Sequence, residues 1–320
     1  MQNNSLLKIT QPFSNNIYWI QAGGGNTSIK TENLMRIKAS GYRFDEMDED
    51  KGFVDLDFNR IAFFFSNCGD NDEHSSKLII HESILDPNGV LPSMETGFHA
   101  VLKKCVIHTH PILLNVFLCA QDALKHLANF FSLNSFNFVL YTAPGFKLSK
   151  KMASTTSSNI VFLQNHGLIT HGDNWHEVLD IHLQVHEILL RKLKINLPKC
   201  PYLSPKHDCF VAVIDSQFNA IIQLIDWNKY LLPDQVVYLY NKVSDKDSSA
   251  PIFVDIDQGL IHYNLNLKNA NACNEIIFSI ILIYYFQNQL KLNANFLKES
   301  DVLEIINMSI EQYRQNILNS

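Results

Sequence analysis

The sequence lacks several features that mark common classes of protein. Its six cysteines include no CxxC pair and no dense disulfide spacing, so we expect a reducing, cytoplasmic setting. No run of about twenty apolar residues is present, and the longest candidate, 276–286, is about half of what a membrane span needs. No basic region leads into an apolar stretch near residue 1, so we expect no signal peptide.

Basic residues are scarce relative to acidic ones. The chain has 26 lysines and arginines against 32 aspartates and glutamates, which gives a formal net charge of −6. Nucleic-acid phosphates need a concentrated basic face, and the doublets Lys150-Lys151 and Arg191-Lys192 are isolated. Nucleic acid is therefore not an expected partner. The glycine spacing GxGxxG of dinucleotide-binding domains is also absent.

Length and apolar content, in contrast, are ample. The chain has 320 residues, of which 46% are hydrophobic, and this supports one sizeable core and a smaller second one. The clearest break in composition is the proline-rich stretch 197–205. We therefore predict a main domain over residues 1–197. A smaller α/β extension over residues 198–320 would serve assembly or cover the site.

Apolar periodicity and turn residues predict the order of elements. The expected strands are 29–30 and 34–39, which form a hairpin, then 52–56, 105–110, 138–141, 160–163, 236–240 and 252–255. The expected helices are 75–85, 93–102 with Ser93 as N-cap, 112–130, 148–153, 174–193, 275–290 and 300–318. Residues 23–28 are expected to be a loop and 87–89 a turn. The extension shows no obvious catalytic cluster.

The motif His108-Thr109-His110 is the strongest chemical signal in the chain. It ends the apolar run Cys105-Val106-Ile107. Side chains two apart in an extended strand point to one face, so both imidazoles can reach a single ion. Glu95 lies upstream, in the predicted first turn of a helix. His166 lies downstream, in a turn that follows a buried strand.

Three histidines and a carboxylate are the ligands of a catalytic divalent-metal centre. Three neutral imidazoles leave a position open for water or substrate, and the ion keeps its full double charge as a Lewis acid. We therefore predict that His108, His110 and His166 bind Zn²⁺ or another divalent metal. Glu95 would ligate the resting ion and become the acid or base once substrate displaces it.

The other histidines are weaker candidates. His182 and His186 are four apart on one helix face, but no further ligand accompanies them, so packing or surface roles are favoured. His176 does not extend their stripe. His99 follows Glu95 by four residues, which leaves a hydrogen bond to the site and plain core packing equally open.

Two loops offer groups that can bind an anion. Residues 23–28 and the tripeptide Ala39-Ser40-Gly41 present backbone N–H groups and hydroxyls, as does the helix start at Ser93. Glycine-rich loops are common, and on its own the first of these predicts an ordinary tight turn.

These segments, in this order, resemble the class II aldolase/adducin family. The matching motifs are Gly24-Gly25-Asn26-Thr27-Ser28, Ala39-Ser40-Gly41, Ser93-Met94-Glu95-Thr96, His108-Thr109-His110-Pro111, Tyr141-Thr142-Ala143 and Asn165-His166-Gly167-Leu168. The resemblance covers residues 10–195. Beyond it, segments 232–237 and 309–314 are similar to the extension of a longer subgroup of this family.

The resemblance implies an α/β fold, a three-layer α/β/α sandwich with a central, largely antiparallel sheet. It implies zinc on the three histidines, with Glu95 as acid/base. The residues that it implies for binding substrate phosphate are Asn26, Thr27, Ser28, Ser40, Gly41 and Ser93. In the family a tyrosine from an adjoining subunit assists proton transfer, and Tyr141 holds the similar motif position. Such a shared site implies a homo-oligomer, often a tetramer.

Two positions depart from the family pattern. Met94 stands where aldolases commonly have a second serine. This removes one hydrogen bond to phosphate and leaves the substrate open between a sugar phosphate and a free sugar. Glu95 and His108 are also closer in sequence than in typical aldolases. The shorter connection between helix and strand should not disturb the ligands.

The residues and the resemblance together predict a zinc-dependent aldolase that reversibly cleaves a sugar or sugar phosphate through a metal-stabilised enediolate. Glu95 would move the proton at the reacting carbon, and Tyr141 would serve the aldehyde oxygen. A sugar-phosphate epimerase and a dehydratase on the same site are the enzymatic alternatives. A non-catalytic interaction protein, like adducin, is the alternative of another class, and the intact ligand set counts against it.

Overall fold

The computed structural model describes residues 2–86, 90–155 and 157–308, with side chains described from Ser5 onward. The turn predicted at 87–89, the end of the helix predicted over 300–318 and the segment 309–314 lie outside the described residues. Among the helices of the described part, none combines the length and apolar character needed to cross a membrane.

A mixed sheet forms the centre of the main domain. Its strands are β1 (Asn26–Lys30), β2 (Met35–Lys38), β3 (Phe53–Leu56), β4 (Cys105–Thr109), β5 (Asn137–Val139), β6 (Ile160–Leu163) and β7 (Gly167–Gly172). Within the described residues the spatial order is β3-β2-β1-β4-β7-β6-β5, and every neighbouring pair is antiparallel except β5 with β6. The predicted, largely antiparallel sheet is confirmed.

Helices cover both faces of this sheet. They are α1 (Gln2–Thr10), α2 (Phe58–Asn67), α3 (Glu73–Glu82), α4 (Thr96–Val101), α5 (Ile112–Leu118), α6 (Ala123–Leu127), α7 (Phe146–Ala153) and α8 (Trp175–Leu193). Strand alternation divides the core between the faces. Ile107 packs with α1, α5 and α8, whereas its neighbour Val106 packs with α4 and α7. The three-layer α/β/α sandwich is therefore as expected.

The extension forms a second sheet. Its strands are β8 (Leu203–Lys206), β9 (Cys209–Val213), β10 (Val243–Ser244), β11 (Ile252–Asp255) and β12 (Leu260–Tyr263), in the order β10-β11-β12-β9-β8 among the described residues. Its helices are α9 (Asn219–Ile222), α10 (Pro233–Leu239), α11 (Leu267–Leu290) and α12 (Glu299–Ile306). The α/β character predicted for the extension is confirmed.

The extension shares its core with the main domain. The long helix α11 packs against α5, and the buried apolar residues of both helices belong to one cluster. The Gln287 side chain donates hydrogen bonds to the carbonyl oxygens of Val116 and Cys119, 2.9 and 3.1 Å away, at the end of α5. These carbonyls have no partner within their own helix, so the extension satisfies them. The division at residue 197 stays a prediction about folding units.

Two predicted elements are wrong in type or extent. The segment 236–240, predicted as a strand from its β-branched residues, lies mostly in helix α10. Pro233 stands at the start of that helix with φ already fixed, and burial of both valines outweighs their strand preference. The helix predicted over 112–130 is broken between α5 and α6, where Asp122 has a left-handed φ of +52°.

Some boundaries also differ from expectation. The predicted loop over 23–28 ends early, because β1 begins at Asn26. The helix predicted from 93 begins at Thr96, so Glu95 rather than Ser93 is its N-cap residue. Helices α1 and α2 and strand β7 were not predicted. Helix α8, by contrast, begins as expected, with the Asn174 side chain accepting from the His176 amide at 2.9 Å.

Two of the three histidines of α8, His182 and His186, have packing roles. His182 is fully buried, and its ring nitrogens lie 2.7 and 2.8 Å from the hydroxyls of Thr109 and Thr170 on β4 and β7. His186 lies one turn further on and packs against Trp19 with ring centroids 4.6 Å apart. Burial lowers the pKa of His186 to about 4, so this ring is neutral in the folded protein near pH 7.

We predict that His186 makes the fold acid-sensitive. Its pKa falls from the ordinary value of 6.5 to about 4, so between these values the unfolded chain binds more protons and stability declines as the pH falls. His186→Phe keeps a ring against Trp19 but cannot titrate. Urea unfolding at pH 7 and pH 4.5 should show the parent losing about 2–3 kcal/mol more than this variant.

His74→Phe is the matched control, because His74 is exposed on α3. It should keep the pH dependence of the parent. Equal losses for the parent and His186→Phe would contradict the role of His186.

Candidate metal centre

Strand β4 delivers the first two histidines to one point. His108 is paired with Asn26 on β1 and Ile169 on β7, in the middle of the sheet. His110 follows the end of the strand, where its amide donates to the Trp19 carbonyl oxygen at 2.9 Å. The Nε2 atoms of the two rings lie 3.1 Å apart. The structure therefore brings both imidazoles to the same side, as the spacing predicts.

The turn between β6 and β7 presents His166. Asn165 has a left-handed φ of +53°, and its side-chain amide donates to the carbonyl oxygens of Leu231 and Asn295 at 2.9 and 2.7 Å. Gly167 lies so close to β4 that a Cβ there would be 2.3 Å from the Thr109 carbonyl oxygen. Tight packing and backbone carbonyl oxygens of the extension therefore hold this turn in place.

Glu95 completes the cluster from the start of α4. Its amide donates to the Ser93 hydroxyl at 3.3 Å. Its two carboxylate oxygens lie 3.4 Å from the Nε2 atoms of His108 and of His166. The ligand atoms of the three histidines are all within 4.8 Å of one another, and all four side chains are buried. This arrangement can hold one ion.

Hydrogen bonds on the far side of two rings set their tautomers. The Nδ1–H of His108 donates to the Leu168 carbonyl oxygen at 2.9 Å, and the Nδ1–H of His110 donates to the Asp234 carboxylate at 2.5 Å. Each bond leaves the Nε2 lone pair directed toward the centre of the cluster. The donor set therefore suits a divalent metal such as zinc, which prefers neutral imidazole nitrogen and carboxylate oxygen.

Charge in the cluster is also suited to a cation. Burial lowers the pKa of His108, which favours the neutral imidazole that a metal requires. Burial acts to raise the pKa of Glu95, but the neighbouring His108 and His110 and the amide of Asn26 hold it below its usual value. Glu95 is therefore a carboxylate near pH 7.

A chain of hydrogen bonds supports Glu95 from behind. The Asn26 side-chain amide donates to Glu95 Oε2 at 2.7 Å and to the Ser93 hydroxyl at 3.1 Å. His99 bridges Asn26 Oδ1 and the Ser28 hydroxyl, the latter at 2.7 Å. Burial lowers the pKa of His99 well below its usual value, so a neutral ring can donate on one side and accept on the other. Of the two open roles for His99, the hydrogen bond to the site is the one found.

The residues predicted to bind phosphate are only partly brought together. Asn26 and Ser93 lie beside Glu95, as just described. Ser40 is adjacent, because its amide donates to the Leu91 carbonyl oxygen, and Gly41 follows it with φ +82°. Thr27 points to the opposite face of β1, where its hydroxyl lies 2.7 Å from that of Thr10.

Side chains of the extension engage the glycine-rich loop. The Ala22 amide donates to the Glu275 carboxylate at 2.6 Å, and the Gly23 amide donates to the Tyr238 hydroxyl at 3.1 Å. Arg43 donates twice to the same carboxylate, at 2.9 and 3.2 Å. Together with Asp234, these contacts place the extension directly against the histidine cluster. The sequence of the extension had shown no obvious catalytic residues.

Tyr141 lies near helix α12. Its hydroxyl is buried and has no hydrogen-bond partner among the described residues. Burial raises its pKa well above 10, and the nearby acidic groups of Asp301 and Glu304 on α12 add to this effect. The expected role of Tyr141 in the site of an adjoining subunit stays a prediction.

The sheet, its covering helices and the histidine cluster together define a class of protein. Residues 7–190 match the family described as the Class II Aldolase and Adducin N-terminal domain. This match covers more than half of the chain, so the protein belongs to that family. The resemblance found in the motifs is confirmed.

The chain is also similar to two known proteins. The chain is 33% identical over 165 residues to the uncharacterized oxidoreductase YuxG of Bacillus subtilis (strain 168), a match covering 47% of this chain and 24% of that protein. The chain thus spans about a quarter of this curated relative. The solved N-terminal class II aldolase domain of a conserved protein from Thermoplasma acidophilum is 23% identical, with a TM-score of 0.53, over 60% of this chain and 94% of that one. It supports the fold alone.

We predict that the cluster binds one divalent ion per chain. His108→Ala and His166→Ala each remove one ligand, so both variants should lose most of their metal. Elemental analysis after loading with Zn²⁺ and dialysis measures this directly. His176→Ala is the control, because His176 is exposed, and it should retain the metal of the parent. Equal metal in all four proteins would rule out this site.

Proposed function

We propose that the protein is a zinc-dependent class II aldolase that reversibly cleaves a carbon–carbon bond in a sugar or sugar phosphate. One observation carries the proposal. Three imidazole Nε2 atoms converge with an ionised carboxylate in a buried site, and Asn26 orients that carboxylate. Membership of the family supports the same chemistry.

Three residues would only hold the metal, whereas Glu95 would ligate the resting ion and move protons once substrate displaces it. His108, His110 and His166 would hold the ion. When bound, a divalent ion supplies Lewis acidity, which polarises a substrate carbonyl and stabilises negative charge that develops beside it. Three neutral ligands leave the ion its full charge for this purpose.

Glu95 is suited to proton transfer at the reacting carbon. Asn26 occupies its Oε2, whereas its buried Oε1 accepts no hydrogen bond among the described residues. In cleavage, the electron pair of the broken bond passes to the ketone fragment. The hydroxyl proton of the fragment that becomes the aldehyde passes to Tyr141 of an adjoining subunit. Glu95, which takes up its proton from water between turnovers, delivers that proton to the carbon of the ketone fragment. In synthesis Glu95 removes the same proton as a carboxylate.

The polar groups around Glu95 would bind the rest of the substrate. Asn26 and Ser93 beside Glu95, with Ser40 and Gly41 on the neighbouring segment, are the groups that we assign to substrate binding. The hydroxyls of Thr27 and Ser28 are engaged elsewhere, by Thr10 and His99. Because Met94 replaces a serine that could bind phosphate, we propose either a sugar phosphate or a free sugar as the substrate.

Assembly and setting complete the proposal. Tyr141 would protonate the aldehyde oxygen in the site of an adjoining subunit, which requires a homo-oligomer such as a tetramer. The six cysteines all lie in the described residues and are free thiols, which supports a reducing cytoplasmic setting.

We predict that Glu95→Gln strongly slows proton exchange. The zinc-loaded parent in D₂O should exchange one hydroxymethyl proton of dihydroxyacetone or its phosphate, followed by proton NMR. The variant should be slower by a factor of about 10²–10⁴, because an amide cannot carry the proton. Metal content, measured in parallel, separates lost chemistry from lost metal. Glu73→Gln, at an exposed position on α3, is the control and should exchange as the parent does.

Products then distinguish the reactions. Incubation with a panel of ketoses and ketose 1-phosphates should yield two carbonyl fragments. A single isomeric product would identify an epimerase instead. A single product formed by loss of one water molecule from the substrate would identify a dehydratase. Exchange at the parental rate in Glu95→Gln would overturn the role of Glu95.

A further inference from the structure

A carboxylate of the extension contacts one histidine of the cluster. Asp234 lies in the first turn of α10, and its Oδ2 is 2.5 Å from His110 Nδ1. The two side chains are 9% and 7% exposed, so the pair is almost wholly removed from water. The residues are 124 positions apart in sequence. The partner of a histidine in the main domain is therefore supplied from outside that domain.

The rest of α10 holds Asp234 in this position. Tyr238 lies one turn later on the same helix face, and its hydroxyl accepts from the Gly23 amide. Between the two contacts runs the backbone of Gly24. A Cβ at Gly24 would lie 2.8 Å from both Asp234 Oδ2 and His110 Nδ1. Only glycine therefore lets the loop close over this hydrogen bond.

His108 and His110 differ in the partner of their Nδ1–H. His108 donates to a neutral backbone carbonyl, whereas His110 donates to an anionic side chain. A carboxylate partner fixes the tautomer and orientation of an imidazole and raises the basicity of the opposite nitrogen. The orientation and basicity of His110 Nε2 thus depend on Asp234, a residue distant in sequence.

We propose that Asp234 is a positioning residue of the metal centre, through which the extension sets the metal affinity of the main domain. This rests on the metal centre proposed above. Asp234 does not touch the ion or the substrate. It acts through the His110 ring, whose Nε2 it orients and makes more basic.

The first experiment compares zinc affinity in full-length variants. Competition with a chromogenic chelator should give a dissociation constant about 10–100-fold weaker for Asp234→Ala than for the parent. Asp234→Asn can still accept a hydrogen bond but carries no charge, so its loss should be smaller. Thermal unfolding of the metal-free proteins identifies any variant that fails to fold.

Glu275→Gln is the matched control. Glu275 also belongs to the extension and holds the neighbouring Ala22 amide and Arg43, but it makes no hydrogen bond to His110. This variant should be less stable, with zinc affinity close to that of the parent. A loss of affinity equal to that of Asp234→Ala would mean that docking of the extension alone matters, and this would overturn the proposal.

A second measurement determines the tautomer of the His110 ring. Nitrogen-detected NMR of the metal-free protein should find His110 protonated at Nδ1 in the parent and a mixture of tautomers in Asp234→Ala. In a His110→Ala background, Asp234→Ala should weaken zinc no further, because the ring through which it acts is gone. Additive losses would contradict the proposed route.

The outcomes separate this inference from the metal centre. If His108→Ala loses zinc and Asp234→Ala binds it as the parent does, the positioning role is wrong and the metal centre stands. If neither substitution changes zinc binding, the metal centre itself is wrong. If both weaken it and Glu275→Gln does not, the proposal is supported.

Discussion

The direction of two imidazole lone pairs is the constraint on which the site depends. A histidine offers a metal one nitrogen only when the other nitrogen carries the proton, and a hydrogen-bond acceptor must hold that proton. His108 has such an acceptor in the backbone of the adjacent strand β7, so the sheet itself provides it. His110 lies beyond the end of β4, and the acceptor is Asp234 of the extension.

Close approach of backbones makes these hydrogen bonds achievable. Gly167 lets the turn before β7 lie against the end of β4, and Gly24 lets a loop lie over the contact between His110 and Asp234. Neither glycine has a positive φ, so the requirement is space rather than backbone freedom. Packing at this density transmits small displacements instead of absorbing them. A side chain at either position would displace one of the histidine rings.

Local patterns predicted the parts of this protein that local interactions determine. The hairpin of β1 and β2, the buried strand β6 and helix α8 follow from periodicity and capping, and the spacing of His108 and His110 predicted a shared site. Asp234 was beyond such reasoning, because only the tertiary fold joins it to His110. The strand predicted over 236–240 was wrong for a related reason, because burial against α11 decides the conformation of the valines in α10. The acid/base role of Glu95 and the phosphate residues stay predictions, since they depend on a ligand.

The hydrogen bonds from the Asn165 side chain to the extension bear on the order in which the parts of the site are synthesised. Synthesis proceeds from the N-terminus, so His108, His110 and His166 are all present once residue 166 has been made. The acceptor for His110 appears only with residue 234. The carbonyl oxygen of Asn295, which holds the turn bearing His166, appears later still. On the ribosome the three histidines thus precede the groups that orient them, so in the proposed metal centre tight binding of the ion would follow the synthesis of residue 295.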